Sequence, residues 1–395
     1  MIIGPMPRSA DIVVVGAGLF GTSIAFALAS RGAESVALVE RDAPGSGDSG
    51  LSFSMVRRHY SNRVTATLAM AGVETIQRWD DAVGVGESGY VRTGYLLVAD
   101  EARRAAVEAN VERLRSWGLE TQFVEPDEIA ELEPLLALDG VAGGAYEPDG
   151  GFADAPKMTL SWFAGAVARG VAPILGTRVI GIRVDSDRVR GVETDAGFIE
   201  APVVVDAAGA WGPELARTAG IELPIALRRI QVAVLRQPHD RPQTGLTFSD
   251  MVSNLVLRPD RAGLALAVAY QPEELVEERD ACRRDPNPGY EDAVREALRR
   301  RVPAYADASW EGGFAGTYDY TPDWNPLIGW APGLEGLYLA LGWSGHGFKL
   351  APSVGEVVAD EVLGREPAID VSELRPDRFE RGAELPLAYG PGARA

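Results

Sequence analysis

The sequence predicts an α/β protein in which one parallel sheet is assembled from distant parts of the chain. A second, mostly antiparallel sheet with helices is inserted between those parts. Three observations carry this prediction. Residues 11–40 run strand, glycine turn, helix, strand and acid. Strand–turn–helix units recur from residue 203 and from residue 337, each with a turn of small residues. Between them, short runs of aliphatic residues alternate with polar positions at the period of two that a half-buried strand requires.

The first unit, DIVVVGAGLFGTSIAFALASRGAESVALVE, is the most informative stretch. Residues 11–15 are apolar after the first. Gly16, Gly18 and Gly21 then follow in the spacing G-x-G-x-x-G, with Leu19 and Phe20 between the last two. Gly16 permits a sharp turn from strand to helix, Gly18 lets a pyrophosphate approach the backbone, and Gly21 lets the helix pack closely on the strand. N–H groups at the helix start, together with the helix dipole, suit phosphates. The second strand, residues 36–39, ends at Glu40, where a carboxylate can accept hydrogen bonds from an adenosine ribose. The unit therefore reads as a Rossmann-like site for an adenine dinucleotide, NAD or FAD. Glu40 disfavours a 2′-phosphate, although Arg41 beside it works in the other direction.

The 395 residues suffice for two domains, and 46% hydrophobic with 24% charged residues is a globular composition. A net charge of −19 argues against nucleic acid or an anionic membrane as partner. It does not limit the charge of a substrate, because a site can be locally basic. Lys157 and Lys349 are the only lysines. Cys282 is the only cysteine, so no intramolecular disulfide or thiolate cluster forms, and with only His59, His239 and His346 no metal site is expected. The first ten residues lack a long apolar core, and no run reaches bilayer-spanning length. The expectation is a soluble cytoplasmic protein.

Past Glu40, residues 42–50 are Gly, Ser, Asp and Pro apart from Ala43, hence loop. Small and hydroxyl side chains from Ser49 through Ser52 to Met55 would let backbone approach a flat ligand. In an extended segment Arg57 and Arg58 point to opposite sides, so one of them at most faces a given ligand. Residues 65–81 and 101–117 read as helices, and residues 90–98 as a strand. Residues 126–136 read as a short helix. Residues 156–169 read as a helix with Lys157 on its surface.

A strand at 177–184 and a hairpin at 190–200 follow, then the second unit, VVVDAAGAWG, with its small-residue turn. Strands at 230–235, 255–258 and 264–268 suit an antiparallel sheet. Residues 272–288 are polar and read as a surface excursion, and residues 290–301 as a helix with a basic last turn. The last unit has a strand at 337–341 and a turn, 342–347, that contains Gly342, Gly345 and Gly347. A helix with Pro352 in its first turn follows. The tail is polar and rich in Pro and Gly, the composition of a loosely packed extension.

VVVGAGLFG with Glu40, SxxMVRR, VVVDAAGAWG, YTPDWNPLIG and GWSGHGFKLAPSVGE together resemble the D-amino acid oxidase superfamily of FAD-dependent oxidoreductases. The likeness is to the branch of sarcosine oxidase and glycine oxidase, and it covers residues 11–364. It implies a GR2-type FAD-binding domain from residues 8–80, 151–224 and 321–370. A substrate domain would come from 81–150 and 225–320, and a tail from 371–395. By the same resemblance, Glu40 and Arg41 lie at the adenosine and Val179 offers backbone to adenine. Ala208, Gly209 and Trp211 line the cofactor. Ser49 also contacts the cofactor, Ser52 and Met55 pass beside the isoalloxazine, and Gly342, Ser344, Gly345, His346, Gly347, Phe348 and Lys349 pass along its other edge.

Lys349 and Arg57, or Arg58 if the register slips by one, match the residues that hold a substrate carboxylate in such enzymes. Tyr318 and His346 are candidates for orienting the amine. Independently of the resemblance, a cation and N–H groups at a helix start would stabilise negative charge on a reduced flavin.

The implied function is oxidation of a C–N bond in an amino acid or N-alkyl amino acid. Hydride passes to flavin N5 and water hydrolyses the imine. Dehydrogenation of a hydroxy acid or polyol is the alternative, as is a role as the FAD-binding subunit of a larger amine dehydrogenase. Gly316 and Thr317 stand where some relatives carry a flavin-linking cysteine, so FAD is expected to be non-covalent. Ala265 stands where oxidases of the branch carry a lysine that assists oxygen, so the acceptor, oxygen or another carrier, stays open, as does the oligomeric state.

Overall fold

The computed structural model describes residues 7–240, 242–272 and 274–389. Its organising element is the strand Ile12–Val15, fully apolar and buried along its length. It lies inside a six-stranded sheet ordered Leu327–Trp330, Leu337–Leu341, Val203–Asp206, Ile12–Val15, Val36–Glu40 and Ala172–Leu175. All neighbours are parallel except the first pair. Such strands read as continuous apolar runs because both faces are covered. On one face, helices Leu19–Ser30, Ala155–Ala168 and Ala351–Val362 bury Ile24, Leu28, Trp162, Val354 and Val358. On the other, a three-stranded antiparallel sheet, Val179–Asp185, Arg188–Thr194 and Gly197–Glu200, packs Ile182, Val192 and Ile199 with Val13 and Val15.

A nine-stranded mixed sheet forms the second layer system. Its longest pair, at one edge, is Ala226–Arg236 and Ser309–Tyr320, which run antiparallel over eleven residue pairs. Leu264–Ala269, Leu255–Pro259, Thr247–Asp250 and Tyr95–Ala99 follow in lateral order. Helix Tyr290–Arg301 covers one face, burying Val294 and Leu298 against Leu255, Leu257, Ala265 and Ala267. The other face, with Val232, Val256, Leu266 and Val268, turns toward Phe53 and the dinucleotide half.

Strand Ser309–Tyr320 was not expected from its sequence. EGGFAGTYDY has the composition of a turn, and only its long partner strand holds it extended. The tail corrects another expectation. Residues 371–389 are not loosely packed: Val371, Leu374, Arg378 and Tyr389 are buried. The Arg378 guanidinium binds both oxygens of buried Asp323 at 2.8 Å and the Asn325 carbonyl at 2.7 Å, which fastens this polar segment to the body. Residues 390–395 of that expected tail, and the first six residues, lie outside the described residues. Among the described residues no helix is long and apolar enough to cross a membrane.

Candidate active site

The three glycine turns meet around one elongated cavity of about 680 Å³. At its nucleotide end, Gly16 has φ +95°, and a Cβ there would lie 2.8 Å from the Ala207 carbonyl oxygen. A Cβ on Gly21 would lie 1.8 Å from the Gly16 oxygen, so only glycine allows this helix its approach to the strand. Gly21 does not line the cavity; it acts from behind, while Gly16, Gly18, Leu19 and Phe20 line it.

The amide of Leu19 donates to Ser49 Oγ at 2.9 Å, and the remaining first-turn N–H groups have no acceptor within the helix. Glu40 accepts from the Ala17 amide at 2.8 Å and the Asp42 amide at 2.9 Å, one per oxygen. Each oxygen keeps lone-pair capacity for a further donor such as a ribose hydroxyl. Burial raises the Glu40 carboxyl above the usual range, and the two amide donors oppose that. Val179, Ala208, Gly209 and Trp211 also line this end. The Arg41 guanidinium lies 4.2 Å from the Trp211 ring centroid.

The polar excursion does not simply lie on the surface. Asp280 pairs with Arg41 at 3.0 Å and accepts from Trp211 Nε1 at 2.9 Å, while buried Arg279 pairs with Asp48 at 2.8 Å. These contacts clamp it onto the nucleotide half. A close-approaching glycine backbone, a carboxylate at the ribose position and helix-start N–H groups without an acceptor in the helix fit an adenine dinucleotide such as FAD.

Past Ser49, the loop after Glu40 carries Ser52, Phe53, Ser54 and Met55 along the lining toward the far end. The next two residues separate as alternation requires. Arg57 turns into the cavity and is 4% exposed. It donates to the His59 carbonyl, reaches His346 Nδ1 at 3.4 Å, and lies 4.6 Å from the Tyr60 ring centroid. Arg58 turns the other way and binds Glu147 at 3.2 Å.

The third glycine turn faces Arg57. Gly342 does not line the cavity; its amide donates to Asp319 at 2.8 Å and its φ of +72° starts the turn. Ser344, Gly345, His346, Gly347, Phe348 and Lys349 do line it. Gly345, with φ +77°, leaves room for Tyr318, whose ring would lie 2.7 Å from a Cβ there. Lys349 is 3% exposed with its ammonium 5.5 Å from the Tyr60 ring centroid. Burial, reinforced by Arg57, pushes its pKa well below the usual lysine range. Among the described residues no carboxylate forms an ion pair with it. A buried ammonium at the end of a cavity, with no carboxylate on it, calls for an anion there.

Sequence reasoning missed several cavity residues. Asp319 comes from the unexpected strand, and Tyr270 follows directly on the end of another. Burial pushes the Asp319 carboxyl up to about 7. Asp206 lies just behind the lining, with one oxygen bonded to the Ala208 amide at 3.0 Å and the other without a partner; burial likewise pushes it up to about 7. An acid within VVVDAAGAWG was the available signal for Asp206. Ala265 requires a correction. It packs under helix Tyr290–Arg301, on the sheet face away from the cavity, whereas Val268 is the residue of that strand that lines the cavity. The strand alternation, not the aligned motif, decides this. Lys349 is nonetheless the only lysine in the lining.

A model of the FAD dependent oxidoreductase family, DAO, matches residues 11–361. The chain is 29% identical over 386 residues to 4-methylaminobutanoate oxidase (formaldehyde-forming) of Paenarthrobacter nicotinovorans, covering 95% of this chain and 46% of that protein. It is 28% identical over 389 residues to mitochondrial sarcosine dehydrogenase of Mus musculus, covering 95% of this chain and 42% of the relative. The chain thus spans less than half the length of these curated relatives. Among solved structures, L-proline dehydrogenase from P. horikoshii superposes with a TM-score of 0.88 at 29% identity, covering 96% of this chain and all of the other.

Proposed function

The chain belongs to the DAO family of FAD-dependent oxidoreductases, and from that premise we propose that it oxidises the C–N bond of an amino acid or N-alkyl amino acid. A family fold hosts many reactions, so the site has to carry this reading. The observation that carries it is the pairing of Arg57 and Lys349 at the end of a cavity framed by three glycine turns. Bound FAD supplies a two-electron acceptor. The residues that would hold it are Gly16, Gly18, Leu19, Phe20, Glu40, Arg41, Val179, Ala208, Gly209 and Trp211 at the nucleotide end. Ser49 would hold it beside that helix start, and Ser52, Met55 and the turn Gly345–Lys349 would hold it at the ring end.

Arg57 and Lys349 hold the substrate carboxylate by charge-assisted hydrogen bonds. That fixes the adjacent C–N bond at the ring end and accounts for most of the positioning. His346 and Tyr318, on either side of Gly345, orient the amine. The substrate loses a hydride from carbon and a proton from nitrogen, and water hydrolyses the resulting imine to a carbonyl compound and an amine. Because the reacting amine is neutral, the rate rises with pH as it deprotonates. The amine substrates after which the three relatives are named support the same class.

FAD is held without a covalent bond. Cys282 lies outside the cavity lining, with its thiol near the Arg283 carbonyl, and Gly316 and Thr317 occupy the lining where a linking residue would sit. Acid precipitation should leave the yellow chromophore in the supernatant. Electrons leave to a carrier other than oxygen, a reading favoured by the aliphatic Val268 where the sheet faces the cavity.

The function is tested by anaerobic mixing of the purified yellow protein with amino acids, N-methyl amino acids, hydroxy acids and polyols. Bleaching of the flavin band by amines alone is expected. Bleaching by hydroxy acids or polyols alone would assign the alternative reaction. Bleaching by none of them would favour an FAD-binding subunit without turnover of its own.

A further inference from the structure

One wall of the cavity is the open face of the nine-stranded sheet, and its strand register defines what the wall presents. Leu97 pairs laterally with Ser249, Ser249 with Val256, and Val256 with Val268. The antiparallel pairing of Ala233 with Ala267 sets Val232 beside Val268. All five line the cavity, so a single row across five strands offers four aliphatic side chains and one hydroxyl. The next row along the strands brings Met251, Asn254, Tyr270 and Ile230 into the same lining. Neither row holds a charge.

Asp250 and Arg103 also line the cavity, but Asp250 is bound to buried Arg301 at 2.6 Å and Arg103 is paired with Asp100. The anion site is therefore kept to the side of the glycine turn, where Lys349 is buried and, among the described residues, no carboxylate forms an ion pair with it.

We propose that this wall receives the substrate's side chain, and that the preferred substrate is a neutral α-amino acid with an aliphatic or alicyclic side chain. Glycine, sarcosine, dicarboxylic and basic amino acids are poorer substrates. The proposal rests on the C–N oxidation reading above. With the carboxylate on Arg57 and Lys349, a second carboxylate or an ammonium would lie against Val256 and Val268 without a partner, which desolvation disfavours strongly. A side chain too small to reach the row forfeits contact worth roughly 10- to 200-fold per methylene in an apolar pocket.

The test is anaerobic flavin reduction by the full-length FAD-loaded protein, measured as rate per unit substrate concentration. The panel holds glycine, sarcosine, iminodiacetate and N-methylaspartate, with N-methylalanine, N-methylvaline and proline in both enantiomers. At least one of the last three should exceed sarcosine and glycine by about tenfold or more, the lower end for one methylene. Both dicarboxylates should fall below sarcosine. A best substrate among glycine, sarcosine and the dicarboxylates would overturn the side-chain assignment and leave C–N oxidation standing. Reduction by no member of the panel would overturn both.

Val268→Phe, which fills the row, should lower the ratio of aliphatic to sarcosine efficiency. Val268→Ala, a milder change, should shift the optimum toward bulkier side chains. Ratios unchanged in a folded, FAD-loaded variant would also overturn the assignment.

Discussion

Replacing Lys349 with methionine probes the anion site with little change in volume. The side chain is 3% exposed and Arg57 is 4% exposed, so the substrate carboxylate would meet them largely out of water. Removing one partner of a buried, hydrogen-bonded charge pair costs about 2–5 kcal/mol. At 1.36 kcal/mol per decade, that is roughly a 30- to several-thousand-fold loss in kcat/KM. Most of it should appear in KM, because the carboxylate is bound throughout the reaction and not only at its peak.

The pH profile gives a second signature. Burial and Arg57 depress the Lys349 pKa, so its charge is present at low pH and is lost as pH rises through that depressed value. Deprotonation of the substrate amine acts in the opposite direction. The wild type should therefore show a rise in kcat/KM followed by a descending alkaline limb. Lys349→Arg should retain carboxylate binding and lose that limb. Steady-state kinetics with an artificial electron acceptor over pH 6–11 is the assay, alongside an amine that lacks a carboxylate, such as pyrrolidine. An unchanged KM in Lys349→Met, or an equal loss for pyrrolidine, would refute the assignment.

Three further outcomes follow from the same geometry. Gly21→Val places a side chain 1.8 Å from a backbone oxygen that cannot move away, so the variant should purify colourless or not fold, while Gly245→Ala, in open space and without a positive φ, should remain yellow; absorbance at the flavin band decides. Burial holds His59 down at about 3, so below pH 6.5 the unfolded chain takes up a proton that the folded chain refuses, and stability falls with falling pH. By linkage the loss is about 2 kcal/mol at pH 5, and urea unfolding should show a shallower acid limb in His59→Gln than in the wild type. Arg378→Met would strand the Asp323 carboxylate, which is buried and bound by that guanidinium, at a cost of about 3–5 kcal/mol; a thermal midpoint unchanged in this variant would contradict the view that residues 371–389 are an integral part of the fold.

The parts legible in the sequence were those whose chemistry is local. Gly16, Gly18 and Gly21 are dictated by a turn a few residues long, and Glu40 by the strand that follows. Likewise, Arg57 and Arg58 had to diverge because they are neighbours in extended chain. What divides them is Glu147, nearly ninety residues away and buried against Arg58, and nothing in the dipeptide announces it.

Long-range pairing hid the rest. Asp319 sits on a glycine-rich segment that becomes a strand only through its partner Ala226–Arg236. The aliphatic row depends on register among strands drawn from residues 95 to 269, so its members carry no common motif. Ala265 shows the opposite error: a motif suggested a cavity position, and alternation along a strand placed the side chain on the far face. The tail misled because polar composition usually means solvent, whereas Arg378 is buried with its own counter-ion.

The central claim is that Arg57 and Lys349 hold a carboxylate at the end of the cavity where the turn Gly345–Lys349 would hold the flavin ring. A crystal structure of the FAD-loaded protein with a non-oxidisable ring carboxylate, pyrrole-2-carboxylate, measures this directly. The account predicts the carboxylate within hydrogen-bond distance of both cations and the pyrrole ring against Val256 and Val268. A flavin ring bound elsewhere, or a carboxylate that contacts neither Arg57 nor Lys349, would contradict it.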